Sequence, residues 1–492
     1  MINFNEKDLR NKIYGCWIGK SIGGTLGGPF EGRREILDVK GYTTPAGEPL
    51  PNDDLDLQLI WLKALTDRGP KGVTAQVLGE YWLNYIPPPW GEYGVCKMNL
   101  HAGFPPPLSG MLTNEVLNKS NGAWIRSEIW ACVAPGCPDT AIRFAYEDAS
   151  VDHGGDEGMY AELFTAALES AAFVVSDMRE LIRIGLSKIP AACRVATAVK
   201  TAIKAYEEKH TWQEAREAVV AASVPEIGWF QAPANIGFVI VGWLYGEGDF
   251  GKSLIIATNC GDDTDCTAST LGSILGIIRG ADTIPQEWIK PIGDRIITVA
   301  IDRGSIQLPT TLTQLTEQTM RQIVPMLTAF HCPVTVSASP TDISDIASLK
   351  LENPSVGAEI CGRSSYAVTM DAVHAKVILD YEKAPVLRPG VPFRLTVEID
   401  NQLPDHRHYE VIWHMPPNVR VLPSPRMQMS IMHKGVEQGY KSRGYGKVHT
   451  PAVFEIVADT IDEAYVRGIL EVRAPGRPTV CFIPVLFANA VS

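Results

Sequence analysis

The sequence predicts two domains of different class: an all-α domain over residues 1–335 and an antiparallel β-sandwich over residues 340–492. Three observations carry this. At 492 residues the chain exceeds what one ordinary core serves. Through residue 333 its long apolar segments fall at helical spacing. Beyond that point prolines recur every few residues and apolar residues alternate at period two, as in short strands. The change falls within PVTVSASPTD, residues 333–342.

The helical segments follow in order. Glycines 15, 19, 23 and 27 repeat every four residues, which places them on one helical face open to close approach by another helix. Gly19-Lys20-Ser21 has the ending of a P-loop, but the glycine required five positions earlier is Tyr14, which excludes that motif. Asp54 to Leu65 carries Leu55, Leu57, Leu59, Ile60, Leu62 and Leu65 and stops before Gly69-Pro70. Residues 86–110 hold Pro87-Pro88-Pro89 and Pro105-Pro106-Pro107 and predict an irregular loop. Gly158 to Val175 and Ile236 to Tyr245 read as buried helices. Thr267 to Arg279 reads as a central helix, with Gly272 and Gly276 allowing close packing. In the last third, Phe393, Leu395, Val397 and Ile399, then Phe454 and Ile456, then Leu470 and Val472 mark strands, and the apolar run Phe482 to Phe487 follows.

Composition narrows the function. A hydrophobic fraction of 45% and a charged fraction of 20% are those of a soluble globular protein. A net charge of −12 argues against a nucleic-acid partner held on a broad basic face. Met1 to Lys12 lacks the apolar core of a signal peptide, and no stretch reaches the ~20 apolar residues of a membrane span, so no membrane association is expected. The ten cysteines are scattered with no paired CxxC pattern, and a reduced, cytoplasmic protein is expected.

Two acidic groups carry the chemistry: Asn52-Asp53-Asp54 with Asp56, and Asp262-Asp263-Thr264-Asp265. Each stands at the start of an apolar helix, where the backbone still lets several carboxylates turn toward one point. Such residues are ordinary helix caps. They are also the usual ligands of hard divalent cations. Both readings remain open from the residues alone. Glu31, just after Gly28-Pro29, sits where the glycine-rich helix should break and is a candidate general base.

The order of these pieces resembles the ADP-ribosylhydrolase family, of the dinitrogenase reductase-activating glycohydrolase type. The pieces are GCWIGKSIGGTLGGPFE, NDDLD, NGAWIR, DHGGDEGMYAE and GDDTDCTASTLGSILG, spanning residues 15–276. The resemblance implies an all-helical catalytic domain holding two magnesium or manganese ions. Asp53, Asp54, Asp263 and Asp265 match metal ligands, with Asp265 bridging the ions. Asn52 and Cys266 stand where the family has threonine ligands, and Gly24 where it often has Asp. Glu31 matches a glutamate near the scissile bond. Asn121, Gly122 and Ala123 match a substrate loop, and His153 a substrate-contacting histidine. The activity implied is hydrolysis of an N- or O-ribosyl bond in a small-molecule or protein-linked substrate. Alternatives are a ribofuranoside, another pentofuranoside or a nucleoside-like substrate, and a non-catalytic ADP-ribose binder. The C-terminal domain lies outside the resemblance and could build an oligomer interface.

Overall fold

The computed structural model describes residues 1–223, 228–304, 306–403, 406–432 and 451–490. The chain forms two compact units, residues 1–98 with 109–362, and residues 99–108 with 363–492.

The first unit is helical. Strand β1 (Ile2–Asn5) leads into a helix over Glu6–Gly27, whose start is capped by the Asn5 side chain accepting from the Lys7 and Asp8 N–H groups. This helix packs antiparallel against Thr264–Arg279 along their glycines. A Cβ on Gly19 would lie 2.1 Å from the Gly272 carbonyl oxygen, and one on Gly276 would lie 2.0 Å from that of Gly15. Backbone therefore meets backbone, and no side chain sets the spacing. At the end of the contact the Thr264 hydroxyl donates to the Gly27 carbonyl at 2.8 Å. The last turn of one helix thus lies beside the first turn of the other.

The helix Asp53–Arg68 starts at Asn52 and stops at Gly69, whose φ of 68° suits glycine. Leu57, Leu59, Ile60, Trp61 and Leu62 are all buried, as expected of a helix apolar on every side. Asp156–Ala171 and Ala232–Gly246 are similarly enclosed. Among the described residues, no helix is long and apolar enough to cross a membrane.

Two features differ from the sequence expectation. Residues 86–110 are not one irregular loop, because a helix forms over Gly91–Ala102. The prolines at 87–89 and 105–107 bracket this helix and none falls inside it, so its backbone hydrogen bonds survive. The second feature concerns residues 334–362, which group with the helical unit although the composition changes earlier. Strand β2 (Val334–Ser337) pairs in parallel with β1, Ile2 opposite Val334, and the helix Ser355–Cys361 packs on Pro138–Asp152.

The second unit is β-rich. One sheet runs β3 (Ala367–Asp371), β4 (Ala375–Asp380), β6 (Phe393–Asn401), β10 (Ala452–Ala458) and β8 (Val419–Leu422), with all neighbours antiparallel. The other runs β5 (Val386–Leu387), β12 (Val480–Asn489), β11 (Tyr465–Arg473), β7 (Arg407–His414) and β9 (Arg426–Ile431). It is antiparallel except for the short β5–β12 pair. Phe393, Leu395, Val397 and Ile399 point inward, as their alternation predicts. The inner faces of the two sheets meet at Phe393–Phe487 and at Trp413–Phe454, with ring centroids 5.2 Å apart in each pair.

Candidate metal centre

Three helix ends and one loop converge in the helical unit. At the start of Asp53–Arg68, the Asn52 side-chain oxygen accepts the Asp54 N–H at 2.8 Å, and its amide donates to the Ser269 hydroxyl at 3.1 Å. Asn52 is thus committed to capping and to holding the neighbouring helix. Successive carboxylates then diverge as helical geometry requires. Asp53 accepts from the Tyr93 hydroxyl at 3.2 Å. Asp54 is fully buried and accepts from the Cys266 thiol at 3.2 Å. Asp56 turns away and accepts the Val299 and Ala300 N–H groups at 2.6 and 2.7 Å, which makes it an anchor for that loop.

The second acidic group depends on an unusual backbone. Gly261 and Asp262 both have positive φ, 77° and 67°. Asp262 secures that bend, since its carboxylate accepts from the Phe230 N–H and the Asn235 amide. Its own N–H donates to the Arg33 carbonyl at 2.6 Å, and its carbonyl accepts the Gly32 N–H at 2.8 Å. This backbone pairing brings Glu31 beside Asp263 and Asp265. Asp263 is held by the Asn121 amide at 2.6 Å.

The result is two trios of donor atoms, each lying within 4.8 Å of one another: Asp54, Asp265 and Cys266, and Glu31, Asp263 and Asp265. Asp265 belongs to both. The oxygens Asp54 Oδ2, Asp263 Oδ1 and Asp265 Oδ1 are buried without a hydrogen-bond partner among the described residues. Burial, followed by repulsion from neighbouring carboxylates, pushes Asp265 far above the usual range. Burial also raises Asp54 against the pull of Lys20, and brings Asp263 up to about 8. Glu31 is raised by burial and by Asp53. Crowded, unpartnered carboxylates of this kind fit a divalent cation far better than they fit one another.

Five further residues complete the surroundings. Lys20 is fully buried, donates to Glu128 and to the Ile125 carbonyl at 2.6 Å each, and lies 3.5 Å from Asp54 Oδ2. Burial opposes its charge, but Glu128 and Asp54 hold the ammonium protonated. Tyr93 and Glu92 come from the helix between the prolines, and a Cβ on Gly122 would fall 2.1 Å from the Glu92 carboxylate. At the rim, Arg34 lies 3.5 Å over the ring of the half-exposed Trp229. A charged lysine within a small-residue helix was the visible signal for Lys20. The others had none.

The predicted substrate residues divide. Asn121 joins the acidic group and also accepts from Trp124. Gly122 lends its carbonyl to Arg126. Ala123 and His153 are fully enclosed. The His153 ring lies 3.2 Å from the Ser120 hydroxyl and 3.0 Å from Asp152. Burial works against its charge, but Asp152 raises its pKa. Arg126, the last residue of NGAWIR, is buried against Asp148 and Asp152 and acts as framework.

A sequence model of the ADP-ribosylglycohydrolase family matches residues 5–322, more than half of the chain. The chain belongs to that family, whose members are glycohydrolases and are generally metal-dependent. A solved structure described as "ADP-ribosylglycohydrolase-related protein complex" is 18% identical. It covers 65% of this chain and 99% of that chain, with a TM-score of 0.44. No curated protein matches. The family match ends before β2, so residues 363–492 of the β-rich unit lie outside it.

Proposed function

We propose that this protein is a divalent-metal-dependent glycohydrolase that cleaves the N- or O-linkage of a ribosyl unit, ADP-ribosyl or closely related. The observation that carries this is the pair of donor trios sharing Asp265. Asp54, Asp263 and Asp265 from the trios, with Asp53 from the start of the same helix as Asp54, would hold two ions. Such ions, when bound, supply Lewis-acid binding of a ribose diol and lower the pKa of water.

The chain's own residues do the remainder. Asn121 fixes one carboxylate oxygen of Asp263 and leaves the other free to bind. Tyr93 fixes one carboxylate oxygen of Asp53. Glu31 is exposed at the rim, held by the Gly32–Asp262 pairing, where a carboxylate can take a proton from water. In the reaction a water oxygen bonds to the anomeric carbon while the bond to the leaving nitrogen or oxygen breaks. Glu31 takes a proton from the water, and the leaving group gains one. Trp229 offers a flat apolar face for the aglycone.

The test is a substrate panel of ADP-ribosylated peptides, free ADP-ribosyl amino acids and simple pentofuranosides, each with chelator, magnesium or manganese. Metal-dependent release of ADP-ribose supports the reading. Turnover of pentofuranosides alone moves the substrate class, and tight ADP-ribose binding without turnover of any compound overturns the enzymatic assignment.

A further inference from the structure

The two trios differ in their chemistry. Glu31, Asp263 and Asp265 offer oxygen only, whereas Asp54, Asp265 and Cys266 offer two carboxylates and a sulfur. Resting on the metal-dependent reading above, we propose that the second position is a thiophilic subsite. It takes a borderline-soft ion of the zinc or cobalt(II) class through the Cys266 sulfur, while the all-oxygen position takes magnesium or manganese.

The neighbouring hydroxyl and amide donors are committed elsewhere. Thr267, the nearest hydroxyl in sequence, donates to the Thr264 carbonyl at 3.2 Å and faces away. The Asn52 amide is occupied by the Asp54 N–H and Ser269. Cys266 cannot be swung aside by turning its helix, because Gly23 and Gly27 press on the backbone at Ala268 and Thr264. One further fact points to a ligand: Asp265 Oδ1, within the same trio, is buried without a hydrogen-bond partner among the described residues. The Cys266 thiol donates to Asp54 Oδ1 at 3.2 Å, so sulfur and carboxylate already stand near ligand spacing. A tetrahedral ion with bonds of about 2.3 Å to sulfur and about 2.1 Å to oxygen spaces such donors about 3.6 Å apart, so only a small opening is needed. Three protein ligands would leave one position for water or substrate, the pattern of catalytic zinc sites. A thiol is a poor partner for magnesium and a good one for zinc. On binding, the sulfur–metal bond forms and the thiol proton leaves to solvent.

The experiment titrates the full, metal-stripped chain with cobalt(II) under reducing, oxygen-free conditions and follows near-ultraviolet absorption, with calorimetry for stoichiometry. The expected result is a thiolate-to-cobalt charge-transfer band that saturates at one equivalent and is lost on adding zinc. Cys266→Ser and Cys266→Thr should lose the band while still binding cobalt. Asp263→Asn, which removes no ligand of the sulfur-containing trio, should keep it. Circular dichroism checks that each variant is folded. Cobalt binding without a thiolate band in the wild type overturns the proposal and leaves the metal reading intact, as does a band that persists in both Cys266 variants. Failure of cobalt, zinc, manganese and magnesium all to bind removes the metal reading and this proposal with it.

Discussion

At the scale of single residues, three side chains carry most of the argument. Glu31 sits at the rim and outside the packed helices, so its loss should act on rate. Glu31→Gln keeps size and hydrogen bonding but removes the charge. It should lower kcat by about 10²–10⁴-fold with little change in product affinity, measured by initial rates beside calorimetry. Asp265 is shared by both trios, so Asp265→Asn should lower the binding of both ions together. Asp53→Asn should leave more metal bound than Asp265→Asn does, and equal losses in a stoichiometry measurement would count against a shared ligand. Lys20 lies beneath the site, paired with Glu128 and facing Asp54. Lys20→Met would leave two buried acids without their cation and should cost about 3–5 kcal/mol in denaturant unfolding. The acidic groups and Glu31 were legible in the sequence because each motif is contiguous. Tyr93 was not, since it meets Asp53 across 40 residues of chain, and neither was Asn235, which meets Asp262 across 27. Contacts of that range leave no local pattern.

At the scale of elements, the glycine contact joins Glu6–Gly27 to Thr264–Arg279, and the Asn52–Ser269 hydrogen bond ties the start of Asp53–Arg68 to the second of these helices. The period-four glycines announced a close helix partner, and Gly272 and Gly276 hinted at which one. The helix Gly91–Ala102 was hidden because prolines dominate its neighbourhood, although they stand outside it. A methyl group at Gly19 has no room against the Gly272 carbonyl. Gly19→Ala should force the helices apart and destabilise the protein by about 1–3 kcal/mol. Metal affinity should fall as well, because Asp265 and Cys266 lie on one of the two helices in that contact. Thermal unfolding with and without manganese checks both effects.

At the scale of the molecule, pH links the centre to stability. The buried carboxylates have folded-state pKa values above their unfolded values, about 8 for Asp263 and about 7 for Asp56. The folded state therefore binds more protons between their unfolded values, ~4, and 8. Stability of the metal-free protein should fall as pH rises through that window. A divalent ion that satisfies the same carboxylates should raise Tm more at pH 8 than at pH 5. Melting curves at both pH values, with chelator or manganese, check the sign. The division of the chain is a second matter at this scale. The composition changes at 335–340, but β2 and the helix Ser355–Cys361 belong to the helical unit because their partners are there. A chain ending at residue 333 leaves β1 without its neighbour. It should melt below one ending at residue 362, both compared by circular dichroism.

The glycine contact also sets a schedule for how the protein is made. Gly27 meets Thr264 across 237 residues of chain. At a synthesis rate of about 5–20 residues per second, the first helix waits about 12–50 s for its partner to leave the ribosome. Throughout that interval its flat glycine face lacks its partner helix, although Ile125 and Glu128, which hold Lys20, emerge earlier. The segment that is translated first is among the last to be sealed, and the acidic centre can close only when most of the helical unit has already emerged.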